Sequence, residues 1–198
     1  GSKFNHRGSG LVGSLGTDGQ HMLSAGAGKT NVFETVAGGG GKVAQVVHVA
    51  VTAITSDSTA DSWEDISGFT AAITPTADDS KILVLIDFTG GANRQSGWRV
   101  VRATDTTLTD GIGDEAGSRI RSTKGTLFTG YTNTQTRFSS TVILDEPATD
   151  SEVTYKLQWH KENEYDYLFL NKCSVATDTD DNASHRARSG ITLMEITA

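Results

Sequence analysis

The sequence lacks the features that identify several large classes of protein. It has one cysteine, Cys173, which excludes both an intramolecular disulfide framework and a cysteine-based zinc site. Its longest uninterrupted apolar run, residues 82–86, is too short for a transmembrane helix. Against 24 acidic residues it has only 17 basic ones, and the net charge of −7 argues against a general nucleic-acid binder. We therefore expect no disulfide, no membrane insertion and no nucleic-acid partner.

Residues 1–41 differ in composition from the rest of the chain. Glycines recur throughout this segment and end in a run at 38–41, and no apolar period of a strand or a helix persists across it. Such a segment has too few apolar residues to bury a core of its own. We interpret it as a Gly-rich leader, which is either flexible or ordered as a stalk by wrapping around identical copies. The glycine run then separates it from a folded domain at residues 42–198.

From residue 42 onward, apolar residues alternate with the period of a β-strand. The first example is residues 43–51, where valines recur at every second position of one face. Further strand candidates, separated by turn residues, lie at 69–74, 81–89, 98–103, 125–131, 136–144, 153–160, 165–171 and 191–196. Because no window has a helical period, this series predicts an all-β fold, an antiparallel β-sandwich of jelly-roll type.

The strand candidate at 165–171 is apolar on both faces of its second half. Tyr167 and Phe169 lie on one face, and Leu168 and Leu170 lie on the other. A strand of this kind needs two coverings, which are either two layers of core or one core and a partner subunit. The pattern therefore indicates oligomerisation.

A second strand candidate, at 153–160, has Tyr155, Leu157 and Trp159 on one face. Because it precedes the strand candidate at 165–171 in the chain, we predict that the two form adjacent strands of a hairpin. His160 lies on the opposite face from these aromatic residues, where a surface or interface role is expected.

Two short motifs resemble ligand-binding loops but lack required residues. Residues 26–30 match the end of a phosphate-binding P-loop, yet Leu23 stands where the pattern requires glycine. Asp178, Asp180 and Asn182 have the spacing of calcium ligands, but the glycine and glutamate that complete such loops are missing. We predict no nucleotide and no cofactor. The acidic loop is interpreted as solvated, with an irregular cation site completed by other loops as the alternative.

No arrangement of residues in the sequence indicates catalysis. The five histidines are too far apart for metal-ligand spacing, and no Gly-x-Ser-x-Gly pattern of a hydrolase nucleophile occurs. Paired carboxylates such as Asp145 and Glu146 lie in predicted turns, where aspartate is favoured by its hydrogen bonds to the backbone. We predict no catalytic and no metal-binding residues. The enzymatic alternative is glycan hydrolysis by carboxylates that meet across a cleft.

An ordered series of short segments extends over nearly the whole chain. It begins with Gly-Lys-Val-Ala-Gln-Val-Val at 41–47 and continues at 63–69, 73–75, 80–84, 147–149, 154–158 and 188–196. Together these segments resemble the C-terminal domain of phage tail-fibre and virion-fibre proteins, of the type found in marine phages. The leader is similar, at 16–20 and 26–29, to the repeat-derived segment that precedes such domains.

Such domains are similar to trimeric jelly rolls of the tumour-necrosis-factor and complement globular-head kind. The resemblance implies a homotrimer in a tail or capsid fibre of the virion, assembled in the host cytoplasm. A chain without disulfides suits the reducing conditions of that compartment. It implies contacts with other virion proteins and with a host-surface glycan or protein, and it identifies no catalytic residue. In this trimer Tyr167 and Phe169 are the candidate interface residues. The alternatives are a glycan depolymerase on a jelly-roll scaffold and a non-viral, trimeric, lectin-like binding module.

Overall fold

The computed structural model describes residues 20–23, 32–35, 42–57, 62–92, 95–102, 106–126, 136–161, 167–172 and 185–197. By its internal contacts the chain divides into two compact units, Gly1–Gly41 and Lys42–Ala198. Helical structure in these described ranges is confined to one 3-10 turn at Thr109–Gly111. The all-β class predicted from the alternating apolar residues is therefore confirmed.

Two short strands lie in the Gly-rich unit. β1 (Gln20–Leu23) and β2 (Val32–Thr35) pair antiparallel, with Gln20 opposite Thr35. The sequence pattern did not predict these strands, because alternation over four residues is too short to stand out in a glycine-rich background.

The second unit contains eleven further strands in its described residues. They are β3 (Val43–Val51), β4 (Thr55–Asp57), β5 (Glu64–Ile73), β6 (Lys81–Ala92), β7 (Ser96–Arg102), β8 (Thr106–Thr107), β9 (Lys124–Thr126), β10 (Arg137–Asp145), β11 (Val153–Lys161), β12 (Leu168–Leu170) and β13 (Ser189–Ile196). Nine of these overlap the strand candidates of the sequence, and the two that do not, β4 and β8, have three and two residues.

Six of these strands form one antiparallel sheet, which we call sheet I. β3, β13, β6 and β10 lie side by side in that order. β10 pairs along one edge of β6, from Ile82 to Gly90. On the other edge, β13 pairs with residues 81–87 of β6, and β12 pairs with residues 90–92 and with β4. The long central strand β6 therefore has neighbours along both edges.

The other five strands form a second antiparallel sheet, which we call sheet II. Its order is β5, β11, β7 and β8, and β9 also pairs with β7. β11 is central, because it pairs with β5 along one edge and with β7 along the other.

The core lies between the two sheets. In β6, Ile82, Val84 and Ile86 are buried while the residues between them are at least partly exposed, as the strand period of two requires. Side chains from sheet II, including Phe69 and Leu157, belong to the same hydrophobic cluster. Burial of apolar surface at about 25 cal/mol per Å² makes this cluster the main source of stability. The molecule is thus a β-sandwich of two antiparallel sheets.

The predicted hairpin of the strands at 153–160 and 165–171 is wrong. β11 lies in sheet II, whereas β12 lies in sheet I, where it pairs with β6 and β4. The physical reason is that both edges of β11 are already hydrogen-bonded to β5 and β7, so no edge remains for β12.

Candidate interaction surface

The outer face of sheet I has an unusual number of exposed apolar side chains. In β10, Phe138, Val142 and Leu144 are 79%, 62% and 44% exposed, while Ile143 points the other way and is buried. In β3, Val46 is 55% exposed. Large apolar residues at such positions keep about half or more of their surface in water in the single chain, so core packing does not explain them.

The strand register places these residues in continuous rows. Leu144 is opposite Leu83 of β6, Leu83 is opposite Met194 of β13, and Met194 is opposite Val46 of β3. Cross-strand partners in an antiparallel sheet point to the same side and lie about 4.5–5.5 Å apart at Cβ. One apolar row therefore crosses four of the six strands of sheet I, β10, β6, β13 and β3.

A parallel row lies next to it. Val142 is opposite Leu85, Leu85 is opposite Thr192, and Thr192 is opposite His48. The two rows together define the apolar face of sheet I, which consists of Val46, Leu83, Leu85, Val142, Leu144 and Met194. Contiguous exposed apolar surface of this kind marks an interaction site more often than scattered single residues do.

A polar contact joins β3 to β13 on this side of the sheet. His48 Nδ1 and Thr192 Oγ1 are hydrogen-bonded at 2.8 Å on the exposed surface. The His48 ring lies against Gly190, where a Cβ atom would come within 3.1 Å of the imidazole Cε1. The imidazole is therefore held in one position, as a fixed polar group at the edge of the apolar face.

Tyr167 and Phe169, the predicted interface residues, stack on each other with ring centroids 6.4 Å apart. They differ in exposure, because Tyr167 is 39% exposed and Phe169 only 1%. Leu168 and Leu170 belong to the core cluster, as their face of the strand predicted, and Phe169 does not. Phe169 is thus covered within one chain and offers almost no surface to another, whereas Tyr167 does.

The outer face of sheet II is polar and internally hydrogen-bonded. Arg99 Nε and Nη2 donate to Gln158 Oε1 at 2.9 and 2.8 Å, and Gln158 Nε2 donates to Asp65 Oδ1 at 2.7 Å. The Arg99 guanidinium also lies 4.3 Å from the ring centroid of Trp63, within cation–π range. This network contrasts with the apolar face of sheet I.

His160 differs from its prediction as a surface or interface residue. Its side chain is buried, and its ring lies 5.3 Å from that of Trp63. The strand period places His160 on the outer face of sheet II, opposite Trp159, as predicted. On that face the Trp63 ring covers the imidazole. Sequence alternation identifies the face and not what covers it.

The carboxylates at Asp145 and Glu146 are both engaged in contacts within the chain. Asp145 Oδ2 accepts hydrogen bonds from Tyr155 Oη at 2.6 Å and from Arg102 Nη1 at 2.8 Å. Burial and the Asp145 carboxylate raise the pKa of Tyr155 far above its ordinary value, against a smaller effect of Arg102. Tyr155 therefore stays protonated and donates, while Glu146 pairs with Lys81. These contacts connect β10 to the strands around it.

Other sequence motifs lie outside the described residues. These are the P-loop-like segment at 26–30, the acidic loop with Asp178, Asp180 and Asn182, and Cys173. Where the structure does describe the chain, no three His, Cys, Asp or Glu side chains come together as a metal site would require. In the same residues no helix is long and apolar enough to cross a membrane.

The sequence contains a signal for the apolar face of sheet I in two of its strands. Residues 82–86 and 142–144 are continuous apolar runs inside strands, so both of their faces are apolar. Like the strand of Tyr167, a run that is apolar on both faces needs two coverings. The sequence pattern does not contain the strand register that brings these two runs side by side in β6 and β10.

No family model matches this chain, and no curated protein matches it.

Proposed function

We propose that this chain is the globular domain of a homotrimeric virion fibre, in which the apolar face of sheet I packs against copies of itself. The observation that supports the proposal is the apolar row that crosses β3, β13, β6 and β10, together with the adjoining Val142 and Leu85. A closed symmetric assembly buries the same surface in every copy and leaves no apolar patch exposed.

The charge distribution suits such an assembly. The net charge of −7 per chain keeps the copies dispersed in water, while the apolar face supplies an uncharged contact area. The rows contain no Asp, Glu, Lys or Arg side chain, so close approach of two copies there buries no unpaired charge. The hydrogen-bonded His48 and Thr192 lie beside the apolar residues, as polar rims do in interfaces.

The order of the strands supports the jelly-roll form of the sandwich. Along the chain, β3, β6, β10 and β13 belong to sheet I, and they alternate with β5, β7, β8 and β11 of sheet II. Neighbours in space, such as β3 and β13, are far apart in sequence. Alternation of the chain between two sheets and pairing of strands that are distant in sequence are both features of jelly rolls.

The role in host attachment rests on the resemblance to fibre domains and on the position of sheet II. If copies meet through sheet I, the outer face of sheet II lies on the other side of the sandwich and stays accessible. Its partly exposed groups, the Trp63 ring and the Arg99 guanidinium, are of the kind that recognises glycans and proteins at hot spots. We assign the receptor contact to this side of the domain and to the loops at its ends.

Light scattering of the purified chain tests the assembly. A mass of about three times the 21.0 kDa of one chain is expected. Val142→Asp should give a folded monomer, because it places a charge in the middle of the apolar face without disturbing the core. Ser67→Asp, at an exposed strand position of sheet II, is the matched control and should remain trimeric. A stable monomer or dimer of the unmodified chain would refute the proposal.

Attachment and hydrolysis are separated by one assay on bacterial surface polysaccharides. Binding to a polysaccharide without release of reducing ends supports the fibre role. Release of reducing ends supports the glycan depolymerase instead. Loss of binding in a Trp63→Ala variant that is still trimeric would locate the contact on sheet II.

A further inference from the structure

The two long edge strands of sheet I, β3 and β10, lack the features that keep sheet edges apart. Each has nine residues, and in the part of the chain that the structure describes each pairs with one strand only, β3 with β13 and β10 with β6. Natural sheets discourage further pairing at an edge by proline, charged side chains, bulges or very short strands. Residues 43–51 and 138–144 contain no Pro, Gly, Asp, Glu, Lys or Arg, and β10 pairs with β6 over nine residues without a bulge.

The other edges of the two sheets do have such features. β4, the third edge of sheet I, has three residues and ends at Asp57. In sheet II, β8 and β9 have two and three residues. β5 is long, but it carries Glu64 and Asp65, and its pairing with β11 is interrupted around Gly68, which has a φ of 77°. This contrast within one domain indicates that β3 and β10 are covered by further strands in the assembled protein.

The exposed apolar side chains are concentrated on the same two strands. Among the residues that the structure describes, eight large apolar side chains are exposed, and five of them belong to β3 and β10. The apolar row that crosses sheet I ends on these strands, at Val46 and at Leu144. Each end residue has a cross-strand neighbour on one side only, so a strand added at that edge would supply the second one. Such a strand would cover backbone groups and apolar side chains together.

The strand directions determine how these edges can meet. β13 is antiparallel to β3, β6 to β13, and β10 to β6, so β3 and β10 run in opposite directions. Rotation about an axis along the strands leaves their directions unchanged, and β10 of one copy therefore meets β3 of the next copy antiparallel. Contacts between unlike edges form a closed ring when the rotation closes. Pairing of β10 with a second β10 would need a two-fold axis and would leave β3 uncovered.

We infer that β10 of each copy pairs antiparallel with β3 of its neighbour, so that sheet I is continuous around the three-fold axis. This contact rests on the proposed homotrimer and specifies which strands join its copies. Backbone N–H groups of each edge donate to carbonyl oxygens of the other, as in any antiparallel pair. Because residues 43–51 and 138–144 carry no charged Asp, Glu, Lys or Arg side chain, the contact buries no unpaired charge from these strands. The apolar face of sheet I then continues from one copy to the next.

Hydrogen exchange of the backbone amides tests this pairing in the full chain. Successive N–H groups of a strand point to opposite edges, so about half of the amides of an unpaired edge strand exchange fast. In the trimer nearly all amides of β3 and β10 should exchange slowly. In the Val142→Asp monomer the edge-directed half should exchange faster, by about tenfold or more. β5 is the control strand and should keep its fast half in both proteins. Fast exchange at every second amide of β3 and β10 in a trimeric chain would overturn the inference.

Cysteine cross-linking reports the same contact through side chains, in a Cys173→Ser background. Two exposed positions of β10 are each combined with exposed positions of β3, to cover the possible registers: Ser140→Cys or Leu144→Cys with Ala44→Cys, Val46→Cys, His48→Cys or Ala50→Cys. A disulfide needs Cα atoms about 4.4–6.8 Å apart, as in a strand pair. At least one combination should oxidise to a covalent trimer, and no single cysteine should. A covalent dimer from one cysteine in β10, or no cross-link in any combination, would contradict the pairing.

Light scattering of the same samples separates the edge contact from the trimer itself. A monomeric chain would refute both the homotrimer and the edge contact. A trimer whose edge amides exchange fast and whose cysteine pairs do not cross-link would refute the edge contact alone, and the copies would then meet only through side chains of the apolar face.

Discussion

The side-chain amide of Gln45 donates a hydrogen bond of 2.7 Å to the carboxylate of Glu195, which joins β3 to β13. The other carboxylate oxygen of Glu195 accepts from the backbone N–H of Thr76 at 2.7 Å, from the Thr76 hydroxyl at 2.6 Å and from the Ser80 hydroxyl at 2.7 Å. Glu195 itself is fully buried. One carboxylate thus connects both strands to the turn between β5 and β6.

Glu195→Gln should destabilise the chain by about 1–3 kcal/mol, the range for a lost hydrogen bond to a charged group. The amide that replaces one oxygen cannot accept, so it meets either the Gln45 amide or the three donors around Thr76 and Ser80. Chemical denaturation monitored by circular dichroism measures the loss. Glu152→Gln, at an exposed turn position, is the matched control and should change little. Equal stability of the two variants would contradict this role.

Stability should also depend on pH through the same group. Burial tends to raise the pKa of Glu195, but the hydrogen bonds from Thr76, Gln45 and Ser80 outweigh it and lower the pKa from 4.5 to about 2. Because the folded-state pKa is depressed, this contribution to stability is complete above pH 4.5 and is lost as the pH falls towards 2. Denaturation midpoints between these pH values should fall more steeply in the unmodified chain than in Glu195→Gln. Parallel slopes would show that other groups cause the acid effect.

Phe169→Ala and Tyr167→Ala should have different effects. The sequence pattern predicts that truncating Phe169 gives a folded but dissociated chain, whereas its burial within one chain predicts a loss of about 3–5 kcal/mol in each chain. The melting temperature of Phe169→Ala should therefore be low, and light scattering should still show the same assembly as the unmodified chain. Tyr167→Ala should stay folded, because its ring is partly exposed. A folded but dissociated Phe169→Ala chain would restore the interface assignment.

Gly90→Ala should destabilise the sandwich by about 1–3 kcal/mol through overpacking. A Cβ atom at Gly90 would come within 2.5 Å of the Phe169 carbonyl oxygen and 2.6 Å of Phe88 Cζ. The carbonyl belongs to β12, which pairs with β6 at this position, so it cannot move without breaking the sheet. Gly113→Ala is the control, because nothing lies within 4 Å of its Cβ position. Thermal unfolding of the two variants measures the difference.

Most of the strands were predictable because their alternation is local. β3 shows this best. The apolar face that its alternation predicts lies towards the core from Val47 to Val51, and the opposite face is exposed. Short strands such as β8, at Thr106–Thr107, have too few residues to form a pattern. They exist because a neighbouring strand offers hydrogen-bonding groups, which is a property of the folded sheet.

The candidate interaction surface was predictable only in part. The two apolar faces around Tyr167 indicated that a strand needs two coverings, and the structure places Leu168 and Leu170 in the core accordingly. The pattern did not identify what covers the second face. Phe169 is covered within its own chain, while Val142 is left exposed, and both are apolar residues in strands.

By itself the sequence determined the class of the fold, the alternation of most strands and the absence of disulfides, since each depends on residue type or on spacing within a few positions. Only the tertiary structure decided which strands pair, and with them the meeting of Trp98 with Trp159 and of Gln45 with Glu195. Strand pairing depends on backbone hydrogen bonds, which every residue except proline can donate, so the side-chain pattern does not specify the partner. The pairing partner of each strand follows from packing two sheets around one core, because a stretch of strand edge can pair with only one neighbour.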